Sequence, residues 1–213
     1  MFDIDLSRLL YSVPAIILCL TFHEWAHGFV AYKFGDPTAK MAGRLTLNPL
    51  KHLDPLGTLM LIFARFGWAK PVPVNPYNFE GDRRSKMTVV AMAGPLANLL
   101  FAVVATVFLY LIVDYAPYNR FFAYLYNLTS ELVWINVILA IFNLMPIPPL
   151  DGSKILGGFL PAKWEAVYYR IERYGFLILF IFILTGLSGK ILTPLVYGMY
   201  NLIVTVIGKI PFL

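Results

Sequence analysis

Apolar residues gather into long continuous runs along this chain. Uncharged, mostly apolar residues occupy positions 9–22, 87–113, 132–150, 174–189 and 191–208. A helix needs about 20 such residues to cross the hydrocarbon core of a bilayer, and several of the runs approach or exceed that length. The pattern therefore predicts an all-α membrane protein, a polytopic helical bundle of about five to six transmembrane segments.

The loop between the first two runs has a different pattern. From Met41 to Leu50, Leu45 and Leu47 alternate with polar residues, which is the period of a half-buried strand. A second segment, "KPVPVNP", contains three prolines that would confine a strand to a sheet edge. Between them, "PLGTLMLIFARFGW" is apolar but too short to span, so we expect it to be re-entrant or interfacial and favour re-entrant. The loop is thus predicted to be a short β-strand and re-entrant region.

Composition agrees with a membrane location. Hydrophobic residues make up 59% of the 213 residues and charged residues 14%, with a mean hydropathy of +0.71. These values are too apolar for a soluble domain. We find no repeats and no hydrophilic stretch long enough for a second domain, so residues 1–213 are expected to form one domain. The single cysteine, Cys19, lies in an apolar run and is predicted to be a buried, inert thiol.

The Lys and Arg residues are distributed unevenly among the loops. Nine Lys and Arg residues lie in 33–86 and four in 154–173, whereas 114–131 contains Arg120 alone. This distribution argues against a nucleic-acid partner, and the positive-inside rule places the two basic segments in the cytoplasm. We therefore expect an integral protein of the cell (plasma) membrane, surrounded by lipids, with its N-terminus outside, its site accessible from the cytoplasmic side and Lys209 inside.

Candidate chemistry begins in the first apolar run, with "LTFHEWAHGF" at positions 20–29. Residues four apart share a helix face, so His23 and His27 could bind one metal ion with Glu24 beside them. Ionisable groups are costly in a membrane, which favours this over a histidine pair satisfied by backbone or headgroups. A catalytic zinc usually has three protein ligands. The candidates for the third are Asp36, Asp54, Asp151, Glu131, Glu165, Glu172 and His52.

Asp151 stands apart from the other candidates. It follows an apolar run that three prolines break, and irregular backbone at membrane depth is tolerated where it lines a cavity. That geometry could bring Asp151 beside the histidines. Asn143, eight residues earlier, either makes an interhelical hydrogen bond or has a catalytic role, and the sequence favours neither.

Two motifs in this order resemble those of a known family. "HEWAH" followed by "NLMPIPPLDG" is similar to the site-2 protease family of intramembrane zinc metalloproteases. The resemblance implies that His23, His27 and Asp151 bind zinc. It also implies that Glu24 acts as general base and then general acid, and that Asn143 donates to the oxyanion or the substrate backbone.

A third stretch, "AGPLANLL", also matches the family. Gly94, Pro95 and Asn98 resemble its glycine-proline-asparagine motif and are expected to support the site, with the small residues permitting close helix packing. The chain resembles the compact form of the family, because no PDZ-like domain interrupts it between Met87 and Asp151.

The implied reaction is hydrolysis of peptide bonds in or near transmembrane segments of membrane protein substrates. We expect an unwound substrate to add as a strand beside Leu45 and Leu47, or beside the proline-bearing segment. The main alternative is a metal or ion transporter that uses the His, Glu and Asp residues as its pathway. A non-catalytic binding protein is a third possibility, against which the intact Glu24 argues.

Overall fold

The computed structural model describes residues 6–64, 67–161, 163 and 170–210, and within these ranges the regular elements are helices. In chain order they are α1 (Leu6–Lys33), α2 (Thr38–Met41), α3 (Pro55–Ala64), α4 (Arg83–Tyr115), α5 (Arg120–Asn143), α6 (Asp151–Phe159), α7 (Gly175–Leu184) and α8 (Leu187–Ile207). Of these, α1, α4, α5 and α8 are long and apolar enough to cross a membrane. The prediction of an all-α membrane protein is confirmed at this level.

Helix α4 lies at the centre of the bundle. It packs against α1, α5 and α6, while α5 also contacts α1 and α8. Ala102 of α4 meets Val137 of α5 and Val196 of α8 in a buried cluster. Small residues such as this alanine let helix backbones approach closely where lipid gives no hydrophobic driving force. Cys19 of α1 is fully buried, in agreement with the prediction of a buried thiol.

Hydrogen bonds between helices fix which ends lie together. Tyr124, near the start of α5, donates to the carbonyl of Leu10, near the start of α1. Tyr110, near the end of α4, donates to the carbonyl of Val204, near the end of α8. The start of α1 and the end of α8 therefore lie at the same end of the bundle, as four crossings require. The expectation that Lys209 shares a side with the basic loops was wrong.

The apolar run 174–189 is not confirmed as a span. It contains α7, whose 10 residues extend about 15 Å, half of the roughly 30 Å hydrocarbon core. A Cβ on Gly175 would come within 2.7 Å of Pro148, and Ile191 of α8 packs against the cluster that contains Leu150. Both ends of α7 thus remain at the bundle end where α5 finishes. The count of five to six spans is likewise not confirmed, since the described residues provide four.

The predicted strand from Met41 to Leu50 is absent. Helix α2 ends at Met41, Gly43 turns the chain with a φ of 65°, and the side chain of Asn48 accepts the N–H of Leu50 at 3.1 Å. A strand needs a partner, and in the described residues the only pairing is an isolated bridge between Leu53 and Ala69. Thr46 and Asn48, two of the polar residues that suggested alternation, instead act locally as turn caps, whereas Arg44 donates to the carbonyl of Lys70 at 2.6 Å.

The apolar segment that begins at Pro55 folds back on itself. It forms α3, and the Leu53–Ala69 bridge closes the loop. A Cβ on Gly57 would lie 2.2 Å from the carbonyl oxygen of Trp68, so the returning chain passes directly over the helix. Trp68 and Ile17 line one small cavity, which places this loop beside the middle of α1. The expectation that this segment is re-entrant in the membrane stays a prediction.

A buried carboxylate joins the loop to the end of α1. Asp36 is fully buried and accepts hydrogen bonds from the backbone N–H of Asn75 at 2.7 Å, from the Asn78 amide at 2.8 Å and from Thr38. Burial alone would raise the pKa of Asp36, but these hydrogen bonds hold its pKa below the ordinary value. Asp36 is therefore an anchor of the loop rather than a member of the metal site.

Candidate metal and catalytic site

Three side chains from two distant parts of the chain meet between α1, α4 and α6. The helical period of α1 stacks His23 and His27 on one face, and α6 presents Asp151 in its first turn. The Nε2 atoms of the two histidines are 3.0 Å apart, and each lies 3.1 Å from Oδ2 of Asp151. All three residues are buried, with 5–8% of their surface exposed. We call His23, His27 and Asp151 the triad.

The broken end of the third apolar run carries Asp151 to this position. Helix α5 ends at Asn143, the chain turns through the prolines, and α6 begins at Asp151. A Cβ on Gly152 would lie 2.2 Å from the carbonyl oxygen of Leu144, so only glycine lets α6 start this close to the end of α5. The glycine of the "LDG" sequence is thus required by backbone packing, a role that sequence reasoning missed.

The hydrogen bonds of the rings decide which nitrogens face the site. Nδ1 of His27 lies 2.7 Å from the backbone carbonyl of Val90, and Nδ1 of His23 lies 2.6 Å from Oδ1 of Asn98. Because oxygens accept, each Nδ1 is the donor, and in a neutral ring Nε2 then carries a lone pair. Two such nitrogens and a carboxylate oxygen at 3.0–3.1 Å would repel one another unless a proton or a metal cation lies among them.

Zinc fits this donor set. Histidine and aspartate are among its usual ligands, and bonds of about 2.0–2.1 Å in a tetrahedral site place ligand atoms roughly 3.3 Å apart. Gly94 of α4 faces the triad, and a Cβ there would lie 2.3 Å from Nε2 of His27 and 2.6 Å from Nε2 of His23. The structure thus brings Gly94 and Asn98 of the "AGPLAN" stretch to the triad, while Pro95 is buried within α4.

Glu24 and Asn143 occupy different surroundings. Glu24, which follows His23 in α1, is half-buried, and its Oε2 accepts a hydrogen bond from the backbone N–H of Val72 at 2.7 Å. The side chain of Asn143 donates to the carbonyl of Leu139 in its own helix at 2.9 Å. Among the contacts of the described residues, none joins Asn143 to the triad, and the interhelical hydrogen bond considered for it is not seen.

The other candidates for the third ligand lie elsewhere. Asp54 caps α3 through the N–H of Gly57 at 2.8 Å, and Glu131 pairs with Arg8 at 3.1 Å. His52 is buried and donates from Nε2 to the carbonyl of Thr46 at 2.7 Å. Only the triad groups three metal-binding side chains within the described part of the chain. Asp36 and Glu172 are not in that group, and Glu165 lies outside the described residues.

The sequence comparison decides the family. Residues 11–186 match peptidase family M50, which covers most of the chain. The chain belongs to this family. Three relatives of this M50 peptidase share the name "Putative zinc metalloprotease": YwhC of Bacillus subtilis (strain 168), Rip2 of Mycolicibacterium smegmatis and MJ0611 of Methanocaldococcus jannaschii. No solved structure matches the chain.

The relatives are similar over most of their length. YwhC is 42% identical over 192 residues, covering 89% of this chain and 87% of its own. Rip2 is 31% identical over 188 residues (87% and 71%), and MJ0611 is 33% identical over 162 residues (75% and 73%). This M50 peptidase is therefore an integral membrane zinc metalloprotease of the site-2 protease family, a family that acts on membrane protein substrates. The family resemblance expected from the sequence is confirmed.

Proposed function

We propose that this M50 peptidase hydrolyses peptide bonds in or near transmembrane segments of other membrane proteins, as one domain of residues 1–213. The observation that carries the proposal is the triad, whose three ligand atoms lie 3.0–3.1 Å apart and buried among helices of membrane-spanning length. Zinc held by His23, His27 and Asp151 would polarise the scissile carbonyl and lower the pKa of a water molecule toward about 7.

Glu24 is the proposed general base. It follows His23 directly in α1, and a carboxylate there can take a proton from the attacking water and then give it to the leaving amine. The Val72 N–H holds Oε2 of Glu24. A carboxylate has two oxygens with about four lone-pair sites, so this bond leaves capacity for the proton transfer.

Asn143 is proposed to donate a hydrogen bond to the oxyanion or the substrate backbone. Its amide nitrogen has two hydrogens, and the carbonyl of Leu139 takes one of them. The second could be donated from the end of α5, where the chain turns toward Asp151. Donors fixed before the reaction stabilise developing negative charge without reorganisation.

The substrate must unwind to be cut, because a helix uses its carbonyls in internal hydrogen bonds. We propose that the unwound strand lies along the proline-bearing segment 71–76. Val72 links that segment to Glu24, and a Cβ on Gly28, next to His27, would lie 3.0 Å from the Val72 side chain and 3.5 Å from that of Leu45. Leu45 would border this path, whereas Leu47 is exposed in a turn region and forms no strand.

The proposed orientation puts the site near the cytoplasmic surface of the plasma membrane. His27 lies six residues before the end of α1, or about 9 Å along the helix axis. The same end of the bundle carries the loop 33–86 with its nine basic residues, and the positive-inside rule assigns such loops to the cytoplasm. The start of α1 then faces outside, and α3 enters the bilayer from the cytoplasmic side as a re-entrant segment.

Glu24→Gln tests the proposed reaction. Purified wild type and variant are assayed for zinc content and for cleavage of detergent-solubilised peptides that contain a membrane-spanning segment. We expect about one zinc per chain in both and a cleavage rate at least about 100-fold lower in the variant. Glu131→Gln is the matched control, since it changes a carboxylate on α5 that lies outside the triad.

The outcomes separate the two classes of function. Cleavage by Glu24→Gln at the wild-type rate would remove Glu24 from the mechanism, and a wild type that binds no zinc would overturn the metal site. Zinc flux into vesicles by both proteins, with cleavage by neither, would favour the transporter.

A further inference from the structure

Two asparagines connect the metal site to a helix that contributes no ligand. Asn98 of α4 and Asn136 of α5 are both fully buried. Nδ2 of Asn98 donates to Oδ1 of Asn136 at 2.7 Å and to the carbonyl of Cys19 at 3.2 Å. Nδ2 of Asn136 donates to the carbonyl of Leu132 at 2.8 Å.

Backbone carbonyls fix the direction of every bond in this chain. A carbonyl only accepts, so the Asn136 amide must turn its nitrogen to Leu132 and its oxygen to Asn98. Asn98 must then turn its nitrogen to Asn136 and Cys19, which leaves its oxygen 2.6 Å from Nδ1 of His23. That oxygen accepts, so His23 carries its proton on Nδ1 and its lone pair on Nε2, the atom that faces Asp151.

We propose that Asn136 and Asn98 form a relay that positions the His23 ring and fixes its tautomer for metal binding. The proposal rests on the zinc site proposed above. Ligating histidines generally need a partner on the other ring nitrogen, and loss of such a partner typically weakens metal binding about 10- to 100-fold. Asn136 is new to the site because it touches no metal ligand itself and acts only through Asn98.

Three leucine and valine variants test the relay by zinc affinity, measured by competition with a chelator. Asn98→Leu and Asn136→Leu remove the two amides while keeping the branched shape of the side chain, and we expect zinc to bind about 10- to 100-fold more weakly to each. Thr106→Val is the matched control: Thr106 is fully buried on α4 and bonds only within its helix, to Ala102 at 2.8 Å. We expect wild-type zinc affinity for it.

A measurement on the zinc-free wild type needs no variant to fold, and no bound metal then sets the tautomer. The chain has three histidines, and ¹⁵N NMR of labelled imidazoles shows which ring nitrogen carries the proton. His23 and His27 should be protonated on Nδ1, whereas His52 donates from Nε2 to Thr46 and should be protonated there. Two Nδ1–H rings and one Nε2–H ring support the relay.

The possible results separate the asparagine relay from the zinc site on which it rests. Two Nε2–H rings, or wild-type zinc affinity in folded Asn98→Leu and Asn136→Leu, would overturn the relay while leaving the zinc site intact. An equal loss of zinc affinity in Thr106→Val would mean that the asparagines contribute only to general packing. A wild type without zinc would instead overturn the proposed function.

Discussion

Replacing Gly94 by alanine should greatly weaken zinc binding while leaving the helix bundle folded. The added Cβ would lie 2.3 Å from Nε2 of His27 and 2.5–2.6 Å from Cε1 and Nε2 of His23. Ordinary contact begins near 3.4 Å, so the rings or the helix must move by about 1 Å. Metal sites tolerate ligand displacements of only about 0.2 Å. We therefore expect zinc affinity to fall at least about 100-fold, the upper end of the range for losing one supporting contact.

The effect on folding should be smaller than the effect on zinc. Alanine stabilises a helix interior by up to about 1 kcal/mol relative to glycine, and overpacking typically costs about 1–3 kcal/mol. The net change is a loss of at most about 3 kcal/mol. Gly198→Ala is the matched control, because Gly198 lies in α8 with nothing within 4 Å of the added Cβ.

The assay is a zinc titration with chelator competition on each purified protein, together with a thermal denaturation curve. Gly198→Ala should bind zinc as the wild type does and Gly94→Ala should not. If folded Gly94→Ala bound zinc with wild-type affinity, the space beside the histidines would not be part of the metal site, and the geometric reasoning would be refuted.

Three further predictions follow from other contacts. Chelator treatment should lower the thermal midpoint of the wild type and of Glu24→Gln by a similar amount, since free zinc at 100 times its Kd stabilises the folded protein by about 2.7 kcal/mol. An equal fall in the midpoint of His27→Ala would contradict this. Asp36→Asn should lower the thermal midpoint at pH 7. Because the pKa of Asp36 is lowered in the folded protein, the difference in midpoint from wild type should shrink as pH falls below about 4. A difference that is independent of pH would contradict this. Val72→Pro removes the N–H donated to Glu24 and should slow cleavage with zinc content unchanged. Val74→Pro, the control, should have less effect on cleavage. Equal cleavage rates in the two variants would mean that this hydrogen bond has no role.

Local pattern was sufficient for the membrane helices and for two of the three residues of the triad. The apolar runs that begin at residues 9, 87, 132 and 191 predicted spans that the structure contains as α1, α4, α5 and α8. His23 and His27 could be paired from the sequence because a helix brings residues four apart to one face. Both inferences depend only on near neighbours in the chain.

The sequence pattern was insufficient where the structure depends on a pairing strand or on where the ends of a segment pack. The alternation around Leu45 resembled a strand, but no second strand lies beside it in the described structure, and the segment folds as turns. The run 174–189 was apolar enough for a span, yet packing of Gly175 and Ile191 at one end of the bundle keeps α7 from crossing. Hydropathy measures how apolar a segment is and does not determine where its ends pack.

The sequence by itself determined that this protein is a membrane zinc metalloprotease of a known family, because hydropathy and the two motifs are written in chain order. Only the tertiary structure placed Asp151 against His27 across 124 positions, aligned Asn136 and Asn98 behind His23, and brought Val72 to Glu24. These contacts depend on how whole helices and loops pack against one another. The contact between Val72 and Glu24 uses a backbone N–H, which every residue type except proline supplies alike and which therefore leaves no signature in the sequence.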